Sequence, residues 1–240
     1  MELSKLTKAG RKALPLQKCG AVIVAAGSAS RMGGSDKVMA ALKGEPMIVR
    51  TVRAFQNCDA IKEIIIVTRE DLIRPISGLC SKMDKVKAVV VGGSSRQESV
   101  GLGLNALSSD IQLAAIHDGA RPLITDAVID RTVRAAHSYG AAAPAIPVKD
   151  TIKVVKSGLV AETPDRAALQ AVQTPQVFDF DLLRGALKKA EEEKAAVTDD
   201  CSAVERLGMS VKIVEGDERN LKVTTPLDLK IAELLLEEEQ

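Results

Sequence analysis

The sequence has no tryptophan, one tyrosine and three phenylalanines, which excludes an aromatic-rich core. Aliphatic side chains must do that work, and at 46% hydrophobic residues there is enough of them. A charge bias is missing too, with 33 Lys and Arg against 32 Asp and Glu. That balance argues against a nucleic-acid surface or a polybasic membrane anchor, so attraction for anions must come from local clusters. The four cysteines (Cys19, Cys58, Cys80, Cys201) form no C-x-x-C pair and match no histidine spacing. Neither a disulfide frame nor a zinc site is expected; reduced thiols in the cytoplasm are. No apolar run approaches the length of a bilayer span, so no membrane role is expected. Residues 1–18 are basic from Lys5 to Lys18 but lack the apolar core of a secretory signal. They are expected to be a frayed tail rather than the remnant of an organelle-targeting segment.

What is present is an α/β rhythm. Short β-rich apolar runs alternate with amphipathic stretches, which indicates a mostly parallel sheet with helices on both faces. Strands are expected at residues 21–26, 64–68, 88–91, 113–116 and 141–147, and helices at 46–56, 97–107 and 126–138. The rhythm then breaks. Residues 151–155 and 159–162 flank Lys156-Ser157-Gly158, the signature of a β-hairpin. A hairpin inserted in an α/β pattern must find burial elsewhere, on another subunit. The pattern resumes with 171–177, a helix over 181–192, a short helix around 202–207, a strand at 211–214 and a helix after Pro226. The reading is one domain over residues 19–240 with a projecting arm at about 148–168.

Chemistry-bearing residues gather after the strands. VIVAAGSASRMGGSDK runs from Val22 to Lys37, a buried strand feeding a loop of small residues. Exposed backbone N–H groups there can cradle phosphate oxygens, with Arg31 and Lys37 adding positive charge. The string is neither a Walker loop nor G-x-G-x-x-G, since only Gly27 fits the latter. GGSSRQESV, starting at Gly92, permits close approach of a base or sugar and offers the Ser99 hydroxyl near a helix start. Taken alone, a Gly turn with an N-cap is the better explanation of this string. In HDGARP, from His117 to Pro122, Asp118 follows a buried strand and suits an outer ligand for Mg²⁺ on a triphosphate. Arg121 beside it can bind an anionic substrate, and His117, with no partner in sequence, supports no catalytic triad. Cys201 has no nearby base, so a nucleophilic cysteine is not expected.

Further strings lie late in the chain: PVKDTIK, TPQVF, TDDCSAVE and NLKVTTPLDL. Taken in order with the loops above, they resemble the methylerythritol-phosphate cytidylyltransferase family from roughly Gly20 to Leu235. The resemblance implies a Rossmann-like nucleotidyltransferase fold and a homodimer clasped through the hairpin arm. It implies CTP and methylerythritol 4-phosphate as substrates, with Mg²⁺ or another divalent cation as cofactor. By the same match Arg31 and Lys37 stabilise charge on the CTP phosphates, while Arg166 and Lys222 position the substrate phosphate. Ala25, Ala26, Gly27, Gly93 and Ser99 surround the nucleotide, Asp118 lies near metal and ribose, and Arg121, Thr174 and Thr198 face the sugar phosphate. Ala29 stands where the family commonly has a second Gly, and Asp36-Lys37-Val38 where it has Pro-Lys-Gln, so loop geometry departs while the basic residue stays.

The chemistry implied is attack of a phosphomonoester oxygen on the α-phosphorus of CTP, with pyrophosphate leaving. Two anions must be brought together and developing charge neutralised, which needs positioning and electrostatics but no general base. The rivals are a ribitol 5-phosphate or other polyol-phosphate cytidylyltransferase, a sugar-1-phosphate nucleotidyltransferase using UTP or GTP, and a silent nucleotide-binding scaffold.

Overall fold

The computed structural model describes residues 15–27 and 37–238. The expected tail over 1–14, the position of Arg31 and the side chain of Lys37 lie outside the described residues. The chain opens with β1 (Cys19–Val24), a short helical turn at Lys37–Met39, a small hairpin of β2 (Ala41–Leu42) and β3 (Glu45–Pro46), and α1 (Met47–Asn57). Then come β4 (Ile61–Thr68), α2 (Ile73–Leu79), β5 (Val86–Val91), α3 (Arg96–Asn105), β6 (Leu113–Asp118), α4 (Asp126–Tyr139) and β7 (Ala141–Pro147). The arm strands β8 (Val154–Lys156) and β9 (Leu159–Glu162) precede β10 (Gln170–Val172), β11 (Gln176–Asp179), α5 (Phe180–Glu192), α6 (Asp200–Glu205), β12 (Lys212–Glu215) and α7 (Pro226–Glu237).

Eight strands form one sheet in the order β10-β7-β11-β6-β1-β4-β5, with β12 also on β7. β6, β1, β4 and β5 run parallel, as do β7 and β12, whereas β11 is antiparallel to both its neighbours. The apolar runs of β1, β4 and β6 reflect burial of both faces. Ala21 and Ile23 point with Ile64 and Ile66 toward Ile48, Val52 and Phe55 of α1, Ile76 of α2 and Val128 of α4. Val22, Ile65 and Val67 point the other way, toward Val100 and Leu104 of α3, Leu183 of α5 and Val204 of α6. Helices therefore cover both faces. A Cβ on Gly103 would overlap Val22 and Val67, so the glycine lets α3 lie close on the sheet. Truncating the fully buried Phe55 to alanine would cost about 3–5 kcal/mol. A third cluster of Leu42, Met47, Leu123, Val223 and Ala232 seats α7 against the β2–β3 hairpin. No helix among the described residues is long and apolar enough to cross a membrane.

Four details differ from the sequence reading. α2 was not expected: Pro75 and Gly78 break its periodicity, yet a proline in the first turn loses no needed hydrogen bond. The strand expected at 171–177 is two strands, β10 and β11, pairing successive stretches of β7 on either side of a cis Thr174–Pro175 peptide. The arm's first strand begins at Val154, and its turn has positive φ at Ser157 (51°) and Gly158 (79°), as a type I′ hairpin requires. Lys18, assigned to the tail, is tied to the body, because its carbonyl accepts from Gln112 and Leu113 N–H.

Candidate active site

Parallel strands place their carboxyl ends at one edge, where open α/β sheets bind ligands. Here a cleft of about 470 Å³ is lined by Ala25, Ala26 and Gly27 after β1, by Gly93 to Arg96 and Ser99 after β5, by Asp118 at the end of β6 and Ala120 after it, and by Lys222. The first two segments touch at Gly92, where a Cβ would stand 2.5 Å from that of Ala26 and 2.9 Å from Ser99 Oγ. Ser99 shapes the loop: its hydroxyl donates to Ser95 O (2.8 Å) and accepts from Gly93 N–H (3.1 Å). Ser95 caps α3 by accepting from Glu98 N–H.

Asp118 is the electrostatic centre. Lys222 Nζ lies 2.8 Å from Oδ2, Arg121 Nε 3.6 Å from Oδ2 and Arg96 Nε 3.7 Å from Oδ1. Burial would raise this carboxyl, but Lys222, Arg96 and Arg121 outweigh it and hold it down at about 2. Arg96 is held in turn by Asp200, its Nη2 donating to Oδ2 at 2.8 Å. Burial pushes the Asp200 carboxyl up against the pull of Arg96. Gln176 braces the acidic turn, accepting from Asp200 and Cys201 N–H and donating to Asp199 Oδ2.

Behind Asp118 the polar groups interlock. Asp118 N–H donates to Thr174 Oγ1 (3.1 Å), which lies 2.9 Å from His117 Nδ1, and His117 Nε2 faces Arg121 O at 3.3 Å. Burial depresses His117 to about 3, so the ring is neutral at physiological pH. Arg121 Nη1 donates to Asn220 O (2.7 Å), while its buried Nε–H makes no hydrogen bond among the described residues.

The structure thus gathers Ala25, Ala26, Gly27, Gly93, Ser99, Asp118 and Lys222 around one cleft, with Arg121 and Thr174 directly behind Asp118. Thr198 is exposed, its N–H donating to Ser202 Oγ. Arg166 is not a lining residue of this cleft; it sits at the base of the arm, donating to Lys149 O at 2.7 Å. Sequence reasoning passed over Arg96, which lines the cleft, and Asp200, which is buried and pairs with it. Arg96 was absorbed in a capping turn and Asp200 in a helix start; only a contact spanning 104 residues joins them.

Comparison with known proteins shows which family the chain is similar to. The family model described as 2-C-methyl-D-erythritol 4-phosphate cytidylyltransferase matches residues 19–238. The chain belongs to that family. A relative of that name from Symbiobacterium thermophilum is 46% identical over 220 residues, 91% of this chain and 92% of its own. One from Caldanaerobacter subterraneus is 46% identical over 221 residues, covering 90% and 97%. Among solved structures, a 4-diphosphocytidyl-2C-methyl-D-erythritol synthase from Anaerococcus prevotii superposes with a TM-score of 0.85 at 30% identity, covering 93% of this chain and 100% of that one. In this cytidylyltransferase-family chain the cysteines offer no nucleophile. Burial pushes Cys201 up beyond the ordinary thiol range and Cys58 to about 12.

Proposed function

We propose that this chain transfers the cytidylyl group of CTP to 2-C-methyl-D-erythritol 4-phosphate and releases pyrophosphate, acting as a cytoplasmic homodimer. The observation that carries the reading is the cleft itself: Arg96, Arg121 and Lys222 converge on Asp118 at the carboxyl edge of the sheet. Such a cluster suits two anionic reactants that must be held side by side. In the reaction an oxygen of the acceptor phosphate attacks the α-phosphorus of CTP, and the bond to the β-phosphate oxygen breaks. The acceptor phosphate is a competent nucleophile near neutral pH, so no general base is needed. His117, neutral and buried behind the cleft, is not aimed at a reacting atom.

Small residues at 25–27 and Gly93 let the nucleotide approach the backbone, and Asp118 is placed for the ribose. Lys222 and Arg121 hold the acceptor phosphate, while Arg31 and Lys37 neutralise charge developing on the CTP phosphates. Thr198 and Thr174 are the other positions that the family pattern puts toward the sugar phosphate. Among the described residues no three metal-ligating side chains cluster. The donor set still suits Mg²⁺, which takes one or two carboxylates and completes its shell with phosphate oxygens and water. Asp118 would hold it, and when bound it would screen the triphosphate and orient pyrophosphate for departure. Lys222 and Arg96, now paired with Asp118, would then turn to the phosphates.

The arm supports the dimer. Val155, Leu159 and Val160 are 56%, 75% and 60% exposed on a hairpin that pairs with no other strand among the described residues. A second copy would cover them through a two-fold contact. Arg166, anchored at the base of that arm, would then serve the partner's cleft. The test is ³¹P NMR of purified protein with CTP, methylerythritol 4-phosphate and Mg²⁺. New diphosphate-ester doublets together with pyrophosphate support the reading; unchanged CTP contradicts it.

A further inference from the structure

We infer that Asp228 is a positioning residue, which from the first turn of α7 fixes the segment carrying Lys222 and so aims its ammonium into the cleft. Residues 220–224 belong to no helix or strand, so regular backbone bonding does not set their course. Packing sets part of it. Val223 is buried, and Leu221 partly buried, in the cluster of Leu42, Leu123 and Ala232 that seats α7, while Lys222 between them reaches the cleft. Hydrogen bonds set the rest. Val223 N–H donates to Ala120 O at 2.8 Å, which ties the segment to the turn after β6. Just beyond it, Asp228 Oδ2 accepts from Thr224 N–H (2.7 Å), the Thr224 hydroxyl (2.8 Å) and Thr225 N–H (2.8 Å).

These bonds do more than close the end of the helix. Capping falls to Thr225, whose hydroxyl accepts from Asp228 N–H at 3.2 Å. In a capping box the side chain at the third helical position returns a bond to the N–H of the cap residue. Asp228 does so and reaches one residue further back, to both polar hydrogens of Thr224, the second residue after Lys222. The helix it reaches from is firmly placed, with Ala232 fully buried and Glu237 paired with Lys43. Arg219 Nη2 donates to Leu235 O at 2.8 Å, so the segment is strapped to α7 before Lys222 by Arg219 and after it by Asp228. Without the Asp228 carboxylate, the Thr224 and Thr225 donors are left to water. Lys222 then keeps its charge but loses a fixed direction, and positioning of a reactant depends on that direction.

The kinetic half of the test rests on the cytidylyl-transfer reading, in which Lys222 holds the acceptor phosphate; the exchange half does not. Asp228→Ala should raise the KM for methylerythritol 4-phosphate about fivefold or more, with kcat and the KM for CTP within about twofold, because a binding contact is loosened. Asp228→Asn keeps an acceptor oxygen and should recover most of the loss. Thr225→Ala removes the end cap alone and should leave all three constants within about twofold of wild type. In substrate-free protein, amide hydrogen exchange followed by NMR reads the strap directly. Val223 N–H, whose acceptor is Ala120 and not Asp228, should exchange about fivefold faster or more in Asp228→Ala, and at about the wild-type rate in Thr225→Ala. Equal effects in the two variants would assign the loss to fraying of α7, and unchanged Val223 exchange in Asp228→Ala would show that packing alone fixes the segment. Either result overturns the inference, as does a loss confined to kcat or to the KM for CTP. If the wild-type chain transfers no cytidylyl group, the functional reading fails alone and the exchange measurement still decides this one.

Discussion

Asp118→Asn separates charge from shape at the centre of the cleft. The substitution keeps the side chain's volume and one acceptor oxygen, but Lys222, Arg96 and Arg121 lose the carboxylate they face. A carboxyl held at about 2 instead of 3.8 stabilises the folded chain by about 2 kcal/mol when ionised in both states. The folded value lies below the unfolded one, so this contribution is complete above about pH 4 and falls as pH drops toward about 2. The variant should therefore be less stable by about 2 kcal/mol at pH 7, roughly 4–8 °C in Tm for a chain of this size. Near pH 3 the gap should shrink to roughly half. Urea unfolding followed by circular dichroism at both pH values measures it. A variant as stable as wild type at pH 7 refutes the electrostatic argument. A gap that does not change with pH shows that shape, not charge, was lost.

Arg31→Ala and Lys37→Ala should each raise the barrier by about 2–4 kcal/mol in kcat with a smaller change in CTP affinity, as for loss of a donor to developing charge. An effect confined to the KM for CTP would show that they only hold the ground state. Mixing Arg166→Ala and Lys37→Ala chains, with subunit exchange verified by two tags, should recover about a quarter of wild-type activity, since half the dimers are hybrid and each hybrid has one intact site. Verified hybrids as inactive as both parents would place Arg166 in its own subunit's cleft, or outside catalysis.

The central strands were legible because burial on both faces leaves uninterrupted apolar runs, as in β1 and β4. α4 and α5 showed through their amphipathic stripes, and the arm through Ser157-Gly158, a pair suited to positive φ. α2 stayed hidden because only Ile76 among its residues is buried, leaving little periodicity to read. The split at Gln173–Pro175 was equally hidden, since apolar residues continue on both sides of it. In the site, the loops after β1, β5 and β6 could be named because small residues and charges follow a strand directly. The partners of those charges could not. Arg96 with Asp200, and Thr174 with His117, meet only when distant segments pack, and sequence order carries no trace of that geometry.

The most direct measurement is pyrophosphate release by purified protein across CTP, UTP, GTP and ATP, each with methylerythritol 4-phosphate or ribitol 5-phosphate. Release should be greatest by far with CTP and methylerythritol 4-phosphate, and it should vanish when EDTA removes the divalent cation. A preference for ribitol 5-phosphate by an order of magnitude or more, or for another nucleotide, would contradict the assignment; release that survives chelation would contradict the role given to Asp118 as a metal ligand.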